Sequence, residues 1–370
     1  MKHVLGLDVG NAKVKVLYLQ VSQGQALRVH WDSLPLPMSA HRPNDFKLYL
    51  PLQILQFLKR HGIETHTLDQ VVTCCSHSFG YDPYSESVKH LADILQGIFK
   101  VVPVSLVRCD GELTPVEEIS ALSESALYGY VFTNFYGSAW LGKSLIQKGL
   151  SLDMGTTTLD VIPIVNGAVD PEGLKNPENY LRFRYHQQRI HWLGMTITPL
   201  EAIAREVTCG GESYQIVPRG YSTESLFATG HASQRELLTQ HAYGKKFPLP
   251  EKARRDLCES IGLDNTLLTD DEVEEVRQSY YNALVKRVTE AIQQVAHRVF
   301  PETPVSELEL AVFALGAEAV LRPALEKAGF NTTRIQTLQY GHDQQLWSAS
   351  SVFSMALQAL NTIGEPLHWH

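Results

Sequence analysis

Two short stretches of this chain combine residue types that could handle a phosphate ester. In Leu5-Gly6-Leu7-Asp8-Val9-Gly10-Asn11 and in Leu150-Ser151-Leu152-Asp153-Met154-Gly155-Thr156, an apolar run ends in a carboxylate, and a glycine follows two residues later. A carboxylate at a strand end beside a glycine turn suits a Mg²⁺–phosphate ligand. Mg²⁺ is a hard cation that takes oxygen ligands, often through water, and binds together with the substrate's phosphates. Turn amides and the hydroxyls of Thr156, Thr157 and Thr158 are donors for phosphate oxygens. Lys15 follows the first turn and offers a positive charge, with Lys13 on the same strand face two residues earlier. One such hairpin is ordinarily just a tight turn with a capping Asp.

Two copies in register carry more weight. Leu5–Leu19 aligns without gaps on Leu150–Ile164. Leu5/Leu150, Leu7/Leu152, Asp8/Asp153, Gly10/Gly155 and Val16/Val161 are identical, and Val9/Met154, Val14/Leu159, Leu17/Ile162 and Leu19/Ile164 are apolar in both. Each copy predicts strand, glycine turn and a second alternating strand. Gly10 and Gly155 stand where the chain reverses and a ligand can approach backbone. Lys15 has Asp160 as its repeat partner. A third apolar strand, Leu308–Leu315, ends in Gly316. Together these predict two homologous lobes with a phosphate site.

The elements between fit that plan. Ala26–Trp31 predicts a third strand, Asp45–His61 and Ser85–Phe99 amphipathic helices, and Gln70–Cys75 and Val101–Val107 buried strands. Glu117–Tyr130 and Asn134–Lys148 read as helical and lead into the second hairpin. Asn166-Gly167 predicts a hairpin turn and Leu181–Trp192 a third strand of the second lobe. Helices are expected at Pro199–Val207, Asp270–Phe300, Ala317–Ala328 and Gln344–Leu360. Thr208–Leu263, rich in Gly, Pro, Ser and His, reads as an insertion or lid. The expected fold is α/β: two ribonuclease H-like lobes of the actin-like ATPase and sugar kinase type facing a central cleft. Residues 1–133 form the first lobe, and residues 134–370 the second, with a helical insertion at about 200–300.

Composition narrows the function classes. The 370 residues are 44% apolar and 19% charged, an ordinary globular balance that excludes a disordered or low-complexity chain. Lys and Arg total 32 against 40 Asp and Glu, a formal charge of −8 with no basic cluster, so nucleic acid is not an expected partner. The start meets charge within eight residues, which excludes a signal peptide, and no stretch approaches the roughly 20 apolar residues of a membrane span. Five cysteines without a C-x-x-C pair indicate a reduced, cytoplasmic protein, neither a disulfide nor a zinc scaffold, and with no apolar span no membrane partner is expected. Other polar features read as structural. His186 and His191 are out of line for one face, Cys74-Cys75 is buried packing, and the Asp270–Glu275 acids favour a helix dipole. Asn134 is by default a helix N-cap.

The pattern D-x-G…K, then D-x-G-T-T-T, then a distal strand ending in Gly resembles the actin-like ATPase, sugar kinase and Hsp70 superfamily. LSLDMGTTTLDVIPIVNG resembles its hydantoinase/oxoprolinase-type branch. LGLDVGNAKVKV, TNFYGSAWL, LGMTITPLEAIA and FATG (Phe227–Gly230) together resemble the tetrahydromethanopterin-linked C1-transfer pathway proteins. That family includes a methanofuran-biosynthesis enzyme joining an aminomethylfuran-methyl diphosphate to glutamyl-tyramine. The resemblance covers most of the chain and is clearest in residues 3–20 and 130–232.

The resemblance implies a carry-over of roles. Asp8, Gly10, Asn11 and Lys15 match the first diphosphate loop, and Asn134 the Asn before the second hairpin. Asp153, Gly155, Thr156, Thr157, Thr158 and Asp160 match the second loop, and Gly316 the start of the third. Asp8 and Asp153 are the implied Mg²⁺ ligands; Asp8, Lys15, Asp153 and Asp160 are the implied catalytic groups, with Asp160 a general-base candidate by type. Glu318 stands where a small residue is usual and would crowd an adenosine. Trp192–Pro199 lacks an expected Arg, and Thr229–Ser233 lacks an expected Asp. The implied function is a transferase that condenses a furylmethyl diphosphate with a tyramine-type phenol, so its partners are a small-molecule diphosphate and a phenolic amine. Two alternatives stay open: an ATP-dependent small-molecule kinase or hydantoinase/oxoprolinase-type hydrolase, and a non-catalytic binding protein of the same C1 pathway.

Overall fold

A computed structural model describes residues 1–367 except 12, 37–41, 77, 79, 229–249, 315–316 and 337–349, and except the side chains of 314, 317 and 318. The chain divides into two compact units. The first holds Met1–Leu145, Ile164–His186 and Leu338–His370; the second holds Ile146–Pro163 and Gln187–Thr337.

In the first unit the two strands of the hairpin, β1 (Lys2–Val9) and β2 (Lys13–Ser22), pair antiparallel along their whole length. The alternating β-branched residues Val14 and Val16 suit a pleated, half-buried surface. β3 (Gln25–Pro35) adds antiparallel to β2. On the other side of β1 lie β4 (Gln70–Cys75) and β5 (Val104–Val107), both parallel, then β6 (Leu113–Pro115). The sheet order is β3-β2-β1-β4-β5-β6. Helices Pro43–Arg60 and Ser85–Ile98 bury Phe46, Leu50, Ile54, Phe57, Val88, Leu91 and Leu95 in one core with Leu5, Leu7 and Val9. The helix Ser350–Thr362 packs so closely on β1 that a Cβ on Gly6 would meet the Val352 carbonyl oxygen at 2.4 Å and the Ala356 nitrogen at 2.7 Å. No side chain fits there.

The second sheet repeats the plan. Its order is β10-β8-β7-β13-β14, with β7 at Lys148–Met154, β8 at Leu159–Val165, β10 at Ile190–His191, β13 at Glu309–Ala314 and β14 at Ile335–Gln336; β9 (Ala168–Val169) also pairs β8. β10 runs antiparallel to β8, while β13 is parallel to both β7 and β14. The hairpin, its antiparallel third strand and the parallel strands beyond therefore occur twice, as the sequence repeat requires. A helical region follows in chain order, with β11 (Glu206–Cys209) and β12 (Glu212–Gln215) forming a hairpin, then helices Glu224–Ala228, Pro250–Ser260 and Asp270–Val299. The last begins with a capping box between Thr269 and Glu272.

Three expected elements differ, the first being Glu117–Tyr130, which is broken into the short helices Val116–Ile119, Glu124–Leu127 and Tyr128–Tyr130. Leu181–Trp192 is not one long strand: Tyr180–His186 is a helix and only Ile190–His191 joins the sheet. The helix buries Tyr180 and Arg184, four apart on one face, and the Arg184 guanidinium lies 3.9 Å from the centre of the Phe135 ring. That stacking outweighs the strand-like alternation of Leu181, Phe183 and Tyr185. The expected helix Pro199–Val207 closes after Ile203, because Ala204 is extended and the chain enters β11.

Candidate functional site

In the first unit, Asp8 stands one residue before the end of β1, opposite Lys15 of β2 and beside Cys74 of β4. Its carboxylate is 4% exposed. The Lys15 ammonium lies 3.0 Å from Asp8 Oδ2. Ser351 Oγ donates to the same oxygen at 2.5 Å and accepts from Lys15 Nζ at 3.1 Å. Among the described residues, Asp8 Oδ1 receives only the weak donor Cys74 Sγ, at 3.4 Å. Burial alone would raise the Asp8 carboxyl. The Lys15 charge and the hydrogen bonds from Ser351, Lys15 and Cys74 outweigh it and hold the group below its ordinary value. Asp8 is thus an anion at neutral pH.

Lys13 is also shifted downward, but by burial. Burial, reinforced by the Lys15 charge and opposed by Asp8, pushes its ammonium down to about 7. The turn itself is closed by Gly10, whose amide donates to the Lys13 carbonyl at 3.0 Å. Asn11 Oδ1 accepts the Ser78 amide at 2.9 Å, tying the turn to the chain leaving β4. Thr133 is tied to the end of β4 in both directions: its amide donates to the Cys75 carbonyl at 3.0 Å and its hydroxyl accepts the Cys75 amide at 3.1 Å. Asn134 therefore opens its helix, Asn134–Leu145, at the carboxyl end of β4. Five expected residues, Asp8, Gly10, Asn11, Lys15 and Asn134, come together at one end of this sheet. Ser351 was not foreseen, because nothing in its own stretch of serines distinguishes the one that reaches Asp8.

The second unit builds its turn differently. Asp153, half-buried, lies one residue from the end of β7 and opposite Phe313 of β13. Gly155 donates to the Thr158 carbonyl at 2.9 Å. The segment Leu193–Pro199 then clasps the turn from outside. Met195 donates to the Gly155 carbonyl at 3.0 Å, and the Thr196 and Ile197 amides donate to the Thr156 carbonyl at 3.1 and 3.0 Å. Gly194 approaches so closely that an added Cβ would sit 2.3 Å from the Thr156 oxygen and 2.4 Å from the Thr157 nitrogen. Gly194 is itself held by Thr198 and Thr223, whose hydroxyls donate to its carbonyl at 3.2 and 3.1 Å. Because LGMTITP supplies backbone donors to the turn's carbonyls, the Thr156 and Thr157 hydroxyls, 3.4 Å apart, are not needed to close it.

Asp160 lies on β8, 4% exposed, opposite Ile190. Arg189, just before β10 and 1% exposed, accepts the Val161 amide on its carbonyl at 2.9 Å. A buried arginine thus precedes Trp192–Pro199, the segment from which the expected Arg is missing. Gly316, the Glu318 side chain and Thr229–Ser233 lie outside the described residues, so the third loop and the site of the missing Asp are not placed.

Residues 71–352 match the hydantoinase/oxoprolinase family. The chain belongs to this family. A protein of Methanocaldococcus jannaschii named (4-{4-[2-(gamma-L-glutamylamino)ethyl]phenoxymethyl}furan-2-yl)methanamine synthase is 23% identical over 367 residues, covering 96% of this chain and 97% of that protein. Among solved structures, this hydantoinase/oxoprolinase family member is similar to the Schistosoma mansoni hexokinase complexed with glucose, with a TM-score of 0.53 at 11% identity over 98% of this chain and 85% of that one. It is also similar to nucleotide-free acetone carboxylase, with a TM-score of 0.52 at 9% identity over 96% of this chain and 70% of that one. The fold is that of the actin-like ATPases and sugar kinases, as the duplicated strand order indicates. Among the described residues no helix is long and apolar enough to cross a membrane.

Proposed function

We propose that this protein is a transferase of one-carbon cofactor biosynthesis, of the methanofuran type, that condenses a furylmethyl diphosphate with a tyramine-type phenol. The observation that carries the reading is the doubled carboxylate–glycine hairpin, one in each unit, in a chain whose relative is named for the furan–phenoxymethyl product and matches it end to end. In the reaction the phenol oxygen forms a bond to the furylmethyl carbon, and the carbon–oxygen bond to diphosphate breaks with its electrons leaving on pyrophosphate. The furan ring delocalises positive charge at that carbon.

Each unit carries groups of the required type. Thr156, Thr157 and Thr158 supply hydroxyls and amides for phosphate oxygens, Lys15 supplies positive charge, and Gly10, Asn11 and Gly155 let backbone approach the ligand. Among the described residues no cluster of three or more acidic, His or Cys side chains is set to hold a metal unaided. Mg²⁺ does not require one, since it keeps several waters and binds through one or two carboxylates plus substrate phosphates. Asp8, ionised and with Oδ1 met, among the described residues, by a thiol alone, fits a hard cation, and Asp153 is the matching carboxylate of the second unit. When bound, the ion neutralises charge on the leaving diphosphate.

The phenol proton needs an acceptor. Asp160, the second residue of β8, is an acid of the right type, but it is buried. Lys13, with its ammonium pushed down to about 7, is about half free amine at neutral pH, a closer match to a phenol than a carboxylate is. We therefore assign the proton to Lys13. The ATP-dependent kinase or hydrolase reading draws on the hydantoinase/oxoprolinase membership itself and predicts ADP or phosphate instead.

A ³¹P NMR time course with Mg²⁺ on two samples decides between them. One contains the furylmethyl diphosphate with a tyramine amide, and the other contains ATP with the same amine. The expected result is acceptor-dependent pyrophosphate in the first, abolished in Asp153→Asn. ADP or phosphate in the second alone establishes the ATP-dependent reading, and silence in both establishes a binding protein.

A further inference from the structure

The chain leaving β4 carries two hydroxyls that the fold does not use. Ser76 is 8% exposed and Ser78 1% exposed, and among the described residues neither Oγ has a hydrogen-bond partner. A buried hydroxyl left without a partner costs free energy, and an alanine of the same shape would not incur it. Their backbones are firmly placed. The Ser76 amide donates to the Val9 carbonyl at 2.8 Å, and the Ser78 amide to Asn11 Oδ1 at 2.9 Å. Ser76 stands two residues beyond Cys74, whose thiol is on the Asp8 side of the sheet, so the extended chain carries the same face onward past Asp8. The helix Asn134–Leu145 starts at the same strand end through the Thr133–Cys75 pair, and its first amides bring the positive end of a 12-residue dipole.

We infer that Ser76, Ser78 and the start of the Asn134 helix form an oxyanion subsite in the first unit that takes a phosphate group of the diphosphate. A phosphate, with several oxygens, is the oxyanion that uses two hydroxyls and a set of helix amides at once, whereas a carboxylate has only two oxygens to share among them. The neighbouring Asp8 does not repel such a ligand with a full charge, since Lys15 and Ser351 already hold it. The inference rests on the reading that the β1–β4 end of this unit is a ligand site. It adds two residues to that site and makes phosphate, not the phenolic acceptor, their ligand.

Calorimetric titration of the full chain with inorganic pyrophosphate in Mg²⁺ tests it, using wild type, Ser76→Ala and Ser78→Ala, with sodium acetate as the carboxylate arm. Pyrophosphate affinity is expected to fall roughly tenfold in each variant, the loss of one charge-assisted hydrogen bond, while the thermal midpoint stays level or rises. Acetate should bind none of the three proteins. Unchanged pyrophosphate affinity in both variants overturns the subsite, as does acetate binding that the same substitutions remove. The two failures are separable: unchanged affinity with pyrophosphate release intact overturns the subsite alone, whereas no pyrophosphate binding by wild type overturns the proposed function with it. If Ser78→Ala melts lower because packing is lost, Ser76→Ala, nearer the surface, carries the test.

Discussion

Ser351 donates a 2.5 Å hydrogen bond to Asp8, joining the last described helix to the first strand of the chain. The same hydroxyl accepts from Lys15, so one side chain sets the geometry of the ion pair that closes the first hairpin. The Asp8 carboxyl is held below its ordinary value of 3.8, so this group stabilises the fold above that pH, and the stabilisation is lost as pH falls through its folded value. Ser351→Ala should therefore cost about 1–3 kcal/mol at pH 7. The difference from wild type should hold down to about 3.8 and shrink when pH is lowered below it. Urea unfolding above and below that value measures it, and a cost independent of pH would mean that the hydroxyl acts through packing instead.

The clasp on the second turn makes a sharper prediction. A methyl group at Gly194 would run into the Thr156 and Thr157 backbone, which has no rotamer to yield with. Gly194→Ala is expected to destabilise by about 1–3 kcal/mol and to weaken pyrophosphate binding more than tenfold by displacing the threonine turn. Gly97→Ala is the control: nothing lies within 4 Å of its added Cβ, and it sits in the helix Ser85–Ile98. There alanine should add about 0.5–1 kcal/mol. Equal effects of the two substitutions on binding would show that the clasp does not govern the turn.

These relationships mark where sequence reasoning reaches and where it stops. Both hairpins were legible because strand, turn and carboxylate are local and occur twice. The parallel strands were legible as buried apolar runs. The grouping of Asp8, Gly10, Asn11 and Lys15 follows from the hairpin, and Asn134 joins them through Thr133. Ser351, Ser76 and Ser78 were not legible, since a serine's role here depends on which strand end packs against it, and no spacing encodes that. The Tyr180–His186 helix was misread as strand because its apolar residues alternate, while its stability comes from Arg184 stacked on a ring far away in sequence. LGMTITP was recognisable as a segment, but its use as a backbone clasp came from a tertiary contact at Gly194.

Arg184 tests that stacking. It is 1% exposed, donates to the Phe132 carbonyl at 3.1 Å and lies over Phe135, while Tyr180 on the same helix donates to Asp170 at 3.0 Å. A lysine keeps the charge but loses the planar fork that stacks and bonds at once. Arg184→Lys is expected to lower stability by about 2 kcal/mol, read by denaturant midpoint with an unchanged slope. Because Phe135 immediately follows Asn134, turnover should fall as well; a stable variant with full turnover would detach this aromatic cluster from the site.

The base assigned to the phenol makes the rate depend on pH in a defined direction. Lys13 accepts a proton only as the free amine, and its ammonium is pushed down to about 7 by burial, with the Lys15 charge adding to the effect and Asp8 opposing it. The rate constant kcat/KM should rise about tenfold per pH unit below 7 and level off above it. Lys13→Met should lose most of the rate and remove the inflection near 7, with pyrophosphate binding retained through Lys15. Stability should move oppositely to an ordinary surface lysine. The unfolded chain holds this proton up to 10.5 and the folded chain only to about 7, so wild type gains stability as pH rises between the two values. Lys13→Met removes that gain, so wild type should gain on the variant as pH rises across the same range. If the inflection near 7 persists in Lys13→Met while that stability gain is lost, Lys13 is a buried neutral amine and the catalytic proton goes elsewhere.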